Sequence, residues 1–111
     1  MTYKVEILPT AWEDLKRIED WYLVQFGVET ALKVSNHILD TIERLERFPD
    51  SGSLIPDEWL NQQGYRMIIC EKHVAIYKKI EDVVYILSHC RYTNGIHKII
   101  LIIVKKTKVS L

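Results

Sequence analysis

The feature that most constrains the fold is a run of β-forming residues in the second half of the chain, interrupted twice by a pair of charged residues. Residues 65–70, 73–80 and 83–90 are rich in Ile, Val and Tyr, which favour strands. Glu71-Lys72 and Glu81-Asp82 separate them, and each pair has the length of a two-residue hairpin turn. The run therefore predicts three antiparallel strands, at Tyr65–Cys70, His73–Ile80 and Val83–Cys90.

The first half of the chain has the pattern of one strand followed by two amphipathic helices. Polar and apolar residues alternate from Tyr3 to Leu8, which predicts a half-buried strand that ends at a proline. Thr10 followed by Glu13 predicts a capping box at the start of the first helix, which ends at Gly27. The second helix is predicted from Val28 to Phe48. Because the link between the two helices, Gly27-Val28, is so short, we expect them to form an antiparallel helix hairpin.

This order of elements predicts an α+β domain: an N-terminal strand, an antiparallel helix hairpin and then a three- to four-stranded antiparallel sheet. With 111 residues, 48% of them hydrophobic, the chain fits one domain over residues 1–111.

The sequence leaves the structure of two segments open. Residues 57–63 are either a short helix or an extended connection. Residues 93–111 form a tail that could add a further strand. Its apolar run Ile99–Val104 would be prone to aggregation if unpaired, so it should pair with the sheet, another copy or a partner.

Composition excludes several classes of protein. The longest apolar run has six residues, far fewer than the roughly 18 to 20 that span a membrane, and no apolar stretch of signal-peptide length begins the chain. We therefore expect a cytoplasmic protein without membrane contact.

In a reducing cytoplasm, Cys70 and Cys90 should be reduced, and we expect both to be buried. The two cysteines and four scattered histidines match no zinc spacing, so neither a metal nor a cofactor is expected.

The zero net charge hides an asymmetry between the halves of the chain. Residues 1–63 carry 6 Lys/Arg and 12 Asp/Glu, whereas residues 64–111 carry 9 and 3, which gives charges of −6 and +6. A basic sheet could attract phosphates or an acidic partner. Alternatively, the asymmetry reflects only the preference of helices for Glu and of edge strands for Lys.

Five residues of the predicted sheet are candidates for chemistry on a phosphodiester: Arg66, His73, His89, Arg91 and Tyr92. If the polar-bearing faces of the strands align opposite the helices, the first four form a concave cationic surface. Cleavage of RNA through its 2′-hydroxyl needs a base, an acid and cations around the phosphate. Either histidine could be acid or base, the arginines the cations, and Tyr92 a stacking partner or proton donor. The alternative is surface ion pairs for the arginines and buried, hydrogen-bonded imidazoles for the histidines.

Other conspicuous side chains are expected to be structural. The aromatic residues Trp12, Trp21, Tyr22 and Trp59 should be packing residues rather than ligand-stacking ones. The acidic residues of the first helix form what should be a solvated face, comprising Glu13, Asp14, Glu19 and Asp20.

The order and spacing of two groups of residues are similar to those of a known family. The first group lies in the helix hairpin and comprises Ala11, Asp14-Leu15, Ile18, Phe26-Gly27, Ala31, Ile42, Leu45, Pro49 and Gly52. The second lies in the sheet and comprises Gly64-Tyr65-Arg66, His73-Val74, Ile76-Tyr77 and Ile86 to Arg91. Over about residues 3–92 this pattern resembles the RelE/ParE superfamily of bacterial toxins from toxin-antitoxin pairs.

The resemblance implies a small cytoplasmic toxin that is neutralised by a cognate antitoxin, as a homo-oligomer or in a hetero-oligomer with it. ParE-type members poison DNA gyrase, and RelE-type members cleave ribosome-bound mRNA. Gly64-Tyr65-Arg66 and residues 73–78 look more like the ParE branch, whereas Cys90-Arg91-Tyr92 looks more like the ribonuclease branch. Val74 stands where strong ribonuclease relatives carry a further basic residue. Gyrase inhibition is thus the favoured function, mRNA cleavage the alternative, and an inactive toxin-fold binding module the second alternative.

Overall fold

A computed structural model describes residues 2–55 and 58–91 as a sheet with two long helices on one face and a short helix on the other. The elements in chain order are β1 (Lys4–Ile7), α1 (Pro9–Phe26), α2 (Val28–Glu43), a 3₁₀ turn (Arg44–Glu46), β2 (Ser53–Leu54), α3 (Glu58–Gln62), β3 (Tyr65–Cys70), β4 (His73–Ile80) and β5 (Val83–Arg91). Tyr92 and the tail at 93–111, including Ile99–Val104, lie outside the described residues.

The sheet has five strands in the order β1-β5-β4-β3-β2. The three C-terminal strands form the predicted antiparallel hairpins, and only the end of β5 differs, by one residue. β1 pairs with β5 in parallel, and β2 adds a two-residue strand that was not predicted. The α+β class is confirmed, with a sheet that is larger than predicted and not wholly antiparallel.

The predicted capping box at the start of α1 is wrong. Leu8 occupies the N-cap position without a side-chain hydrogen bond, and Pro9 is the first helical residue. Proline suits that place because its fixed φ is helical and its missing N–H would have no partner there. Thr10 therefore lies inside the helix, where its hydroxyl donates to the carbonyl of Leu87, 2.9 Å away.

The helix hairpin is confirmed, with an earlier end for its second helix. Gly27 alone links the helices, and its φ of 95° is one that L side chains rarely adopt. α2 ends at Glu43 and the chain continues as the 3₁₀ turn, whereas the apolar spacing had predicted helix up to Phe48. The ambiguous segment at 57–63 contains a helix, α3.

Two apolar clusters hold the sheet between its neighbours. The larger joins the helix hairpin to one face and includes Ala11, Leu15, Ile38, Ile42, Leu45, Ala75, Tyr77, Val84 and Ile86. The smaller covers the other face and includes Ile55, Leu60, Tyr65, Met67, Val74, Ile76 and Leu87. β4 lies in the middle of the strand order and contributes to both clusters, so both of its faces are covered.

The three tryptophans are only half buried, and Trp21 packs against Tyr22 and Phe26. Trp12 and Trp21 on α1 are each 50% exposed, and Trp59 on α3 is 48% exposed. α1 buries only Ala11 and Leu15 fully. Much apolar surface therefore remains outside the core. None of the helices in the described part of the chain is both long and apolar enough to cross a membrane.

Candidate functional site

A β-bulge in β5 decides on which face of the sheet His89 and Arg91 lie. Tyr77 of β4 pairs with Ile86, but the preceding residue, Ile76, pairs with Ser88, so Leu87 is an extra residue in β5. Strict alternation would put His89 on the face of Leu87, away from the helices. The bulge turns the end of β5 over, and His89 instead shares a face with its partner Ala75, which packs beneath the helices.

The expectation of an open cationic surface opposite the helices is therefore wrong. Arg66 pairs with Tyr77, and Arg91 pairs with His73, so four of the five candidates share one face as predicted. That face is the one on which the helices pack, and it leaves His73 and His89 only 8% and 4% exposed. The fifth candidate, Tyr92, lies outside the described residues.

His89 is a buried, neutral imidazole. It borders a small gap with Ile38, Thr41 and Ile42 of α2, and its Nε2 has no hydrogen-bond partner among the described residues. Burial lowers the pKa of His89 to about 4, because the imidazolium loses its hydration, although the nearby carboxylate of Asp14 acts in the opposite direction. At neutral pH this side chain is uncharged and out of reach of a surface ligand.

His73 lies at the other end of the same helix-covered face. Its ring meets that of Tyr22 edge to face, with centroids 5.7 Å apart. Burial lowers the pKa of His73, and the positive charge of Arg91 lowers it further. Arg91 itself is exposed at the end of β5.

Arg66 is engaged by the loop that precedes β2. Its guanidinium donates to the carbonyl of Gly52 at 3.1 Å, and its Nε lies 3.8 Å from the carboxylate of Asp50. The buried hydroxyl of Tyr77 holds the same loop, since it donates to the carbonyl of Pro49 at 2.8 Å and accepts from the N–H of Gly52 at 3.0 Å. In this structure Arg66 therefore binds the loop that precedes β2 and is not free to bind a ligand with the same groups.

The two arginines start from distant points of the sheet, and the guanidinium of Arg66 is already bound by the loop at Asp50. Their partners on β4, Tyr77 and His73, are separated by four positions of an extended strand. At about 3.3 Å per residue this is roughly 13 Å along the sheet. Within the described residues, His73 and Arg91 lie close to each other, but the four candidate side chains do not converge on one point.

Sequence reasoning missed Asp14, which it assigned to a solvated face. One carboxylate oxygen of Asp14 accepts from the hydroxyl of Ser88 at 2.7 Å and from the main-chain N–H of His89 at 3.2 Å, and the other pairs with Arg17. β1 covers the edge of β5 only as far as Ile86, so α1 supplies the partners beyond it. The sequence did contain a signal for this role. Thr10 and Asp14 are four residues apart, so they lie on the same side of α1, next to the buried Ala11 and Leu15.

The described residues contain no group of three or more His, Cys, Asp or Glu side chains that could hold a metal ion. Both cysteines are free thiols, with Cys70 buried and Cys90 partly buried. Burial and, to a smaller extent, the nearby carboxylate of Asp14 raise the pKa of Cys90 to about 11. Cys90 is therefore a protonated thiol at neutral pH, which is the less nucleophilic form.

An N-terminal strand, a helix hairpin and a C-terminal sheet are the architecture of a class of small α+β toxins. The chain belongs to the ParE toxin family of the type II toxin-antitoxin system parDE, whose family model matches residues 5–91. It is a toxin of such a system. No curated protein matches the sequence.

Two solved structures show the same fold. One is from the chromosomal ParDE toxin-antitoxin system of P. aeruginosa, with 26% sequence identity and a TM-score of 0.71, covering 83% of this chain and 98% of that one. The other is from the RelBE2 toxin-antitoxin complex of Mycobacterium tuberculosis, with 17% identity and a TM-score of 0.62, covering 83% and 100%. The second likeness, at this identity, is one of fold alone.

Proposed function

We propose that this toxin inhibits growth by acting on DNA gyrase and is neutralised by a cognate antitoxin. The observation that carries the choice of target is the burial of His73 and His89 beneath the helices. A general acid or base must come within hydrogen-bond reach of its substrate, directly or through one water. The imidazole of His89 is beyond that reach. His73 meets the surface only at a small cleft, where burial and the charge of Arg91 lower its pKa.

The arginines support the same choice. Stabilisation of a phosphate transition state needs cationic groups directed at the same oxygens. Arg66 is held by Asp50 and Gly52, and Arg91 lies at the far end of the sheet. An mRNA endoribonuclease, the second candidate, would have to act with a single exposed cation from this pair.

The free end of the helix hairpin is a suitable surface for docking on a large protein target. Five apolar side chains there, which we call the hairpin tip, are 42–81% exposed: Leu23, Val24, Phe26, Val28 and Leu32. Exposed apolar patches on small soluble proteins mark interaction sites. We infer that the hairpin tip contacts gyrase, so that inhibition depends on docking and not on a chemical step.

Two assays on the purified chain test the target. Supercoiling by purified gyrase should be blocked, while translation in a cell-free extract should leave the message uncleaved when its ends are mapped. Cleaved message with normal supercoiling would refute the proposal and establish the ribonuclease. Inducing the chain alone in bacteria should arrest growth, because only an inactive binding module would leave growth unchanged.

Variants at two equally exposed phenylalanines test the docking surface. Phe26→Ser, in the hairpin tip, should weaken inhibition of supercoiling at least about tenfold, since it removes a large apolar contact. Phe48→Ser is the matched control, because Phe48 is 63% exposed against 62% for Phe26 and lies after the 3₁₀ turn. Equal inhibition by both variants would exclude the hairpin tip as the contact.

Neutralisation by an antitoxin is supported by the solved relatives, which come from a ParDE system and a RelBE2 toxin-antitoxin complex. The test begins at the neighbouring reading frame, where we expect a small acidic protein with a DNA-binding N-terminus. Co-expression of that protein should restore growth and raise the yield of soluble toxin. A soluble, monomeric toxin whose stability and toxicity do not change with the neighbouring protein would contradict this part of the proposal.

A further inference from the structure

A cleft between α1 and the adjoining ends of β4 and β5 has no role in the function proposed above. Its volume is about 260 Å³, and it is lined by Arg17, Ile18, Trp21, Tyr22, His73 and Arg91. Most of its lining surface is apolar. Sites for drug-sized ligands are usually larger than about 300 Å³, so this cleft has the size for one ring or one large side chain.

The walls of the cleft are aromatic rings held in place by one another. Trp21 meets Tyr22 edge to face with centroids 5.0 Å apart, and Tyr22 meets His73 in the same way at 5.7 Å. His73 is buried, whereas Trp21 is half exposed. The cleft is thus organised before a ligand arrives, which lowers the entropy cost of binding.

The charges at the cleft are positive. Arg91 is exposed and forms no ion pair with any other described residue. The side chain of Arg17 is 73% exposed, and one of its nitrogens pairs with Asp14. A guanidinium of this kind can bind a carboxylate through two parallel hydrogen bonds. An apolar cleft with arginines beside it therefore favours an apolar ring that carries a neighbouring carboxylate.

We propose that the cleft is an anchor site for an aromatic side chain next to a carboxylate in an acidic segment of the antitoxin, which rests on the neutralisation proposed above. A nucleic acid fits less well, because single-strand binding needs a continuous basic track along the backbone. Exposed acidic residues interrupt any such track here: Glu13 and Asp20 flank Arg17 on α1, and Glu71 precedes β4.

N-acetyl-L-phenylalanine, which has one ring and one carboxylate, is the probe for this site on the full chain. In ¹⁵N-resolved NMR spectra it should shift the indole N–H signal of Trp21 with a millimolar Kd. It should also raise the pKa of His73, since a bound carboxylate offsets the charge of Arg91. N-acetyl-L-phenylalaninamide, which lacks the carboxylate, should bind at least about fivefold more weakly.

Two arginine variants distinguish binding in the cleft from a general attraction of the probe to positive charge. Arg91→Gln should weaken binding of N-acetyl-L-phenylalanine at least about fivefold, whereas Arg47→Gln, at an exposed arginine outside the cleft, should leave it unchanged. No shift at Trp21, equal binding of the acid and the amide, or tighter binding of adenosine monophosphate would each overturn the proposal.

The link to the antitoxin is measured with the purified product of the neighbouring frame. Trp21→Ala and Arg91→Gln should each lower its affinity for the toxin at least about tenfold, with folding checked by the dispersion of the NMR spectrum. Full neutralisation of both variants at unchanged affinity would overturn the cleft proposal and leave the proposed function intact. If the wild-type chain binds N-acetyl-L-phenylalanine but does not inhibit gyrase, only the proposal that gyrase is the target is refuted.

Discussion

The carboxylate of Asp14 on α1 accepts a hydrogen bond of 3.2 Å from the main-chain N–H of His89 on β5, across 75 positions of sequence. The same oxygen accepts from the hydroxyl of Ser88. In a sheet that N–H would ordinarily pair with a neighbouring strand. Because β1 stops short, a helical side chain takes the place of a strand at this edge.

Removing the Asp14 carboxylate should destabilise the fold. Asp14→Ala leaves two donors at a buried edge without an acceptor, so we expect the free energy of unfolding to fall by about 2–4 kcal/mol. Asp14→Asn keeps an acceptor oxygen and should cost about 1 kcal/mol. Urea unfolding measures both. Glu13→Ala, at the exposed neighbouring position, is the control and should change stability by less than about 0.5 kcal/mol.

Stability should fall as the pH is lowered from about 6.5 to about 4. Burial holds the pKa of folded His89 at about 4, whereas the unfolded side chain titrates near its ordinary value of 6.5. Between these values the unfolded state binds more protons, so acid favours it, by up to about 3 kcal/mol across the window. His73, whose pKa is also lowered, contributes in the same direction.

Urea unfolding at several pH values, with three forms of the protein, checks this dependence. His89→Leu should show a clearly shallower fall in stability than wild type, because its titrating imidazole is gone. His37→Gln, which removes a half-exposed histidine, should keep the wild-type slope. A wild-type slope in His89→Leu would mean that the buried imidazole does not control the acid response.

The loop before β2 should depend on the hydroxyl of Tyr77. Tyr77→Phe leaves the buried N–H of Gly52 without its acceptor and the carbonyl of Pro49 without its donor, so we expect a loss of about 1–3 kcal/mol in unfolding free energy. Tyr85→Phe, at a half-buried position of β5, is the matched control and should be nearly neutral. Equal effects of the two changes would contradict the role of this hydrogen bond.

The β4–β5 turn should be stabilised by glycine at one position and weakened by it at the next. Glu81 has a φ of 54°, in the left-handed region that costs an L side chain about 1–2 kcal/mol. Glu81→Gly relieves this strain at a smaller entropic cost, for a net gain of roughly 0.5 kcal/mol. Asp82→Gly, where φ is not positive, should instead lose about 0.5–1 kcal/mol. Thermal unfolding of both variants gives the signs.

Several features were predictable because they depend on neighbouring residues. The hairpin turns at Glu71 and Glu81 follow from charged pairs between β-forming runs, and the single residue Gly27 allows only an antiparallel helix hairpin. The α+β class follows from the order of these elements. Family membership was also accessible, since the order and spacing of residues along 5–91 carry it.

The candidate site was predicted only in part. Period-two alternation placed His89 and Arg91 together, and Arg66 and His73 do share their face. Whether His89 and Arg91 lie on the face of Arg66 and His73 depends on the bulge at Leu87, and the helices then cover that face. Both faces of the central strands are buried, so the residues around Leu87 do not show the polar alternation that would locate the bulge.

The sequence by itself therefore determined the elements, their order and the toxin family, because local propensity, turn length and residue spacing carry that information. The tertiary structure alone decided which residues are surface and which are core. It buried His73 and His89, tied Arg66 to a loop, and brought Asp14 to an unpaired strand edge. The physical reason is that a strand register and a helix docking position are set by packing between segments distant in sequence, where one extra residue reverses every side chain that follows.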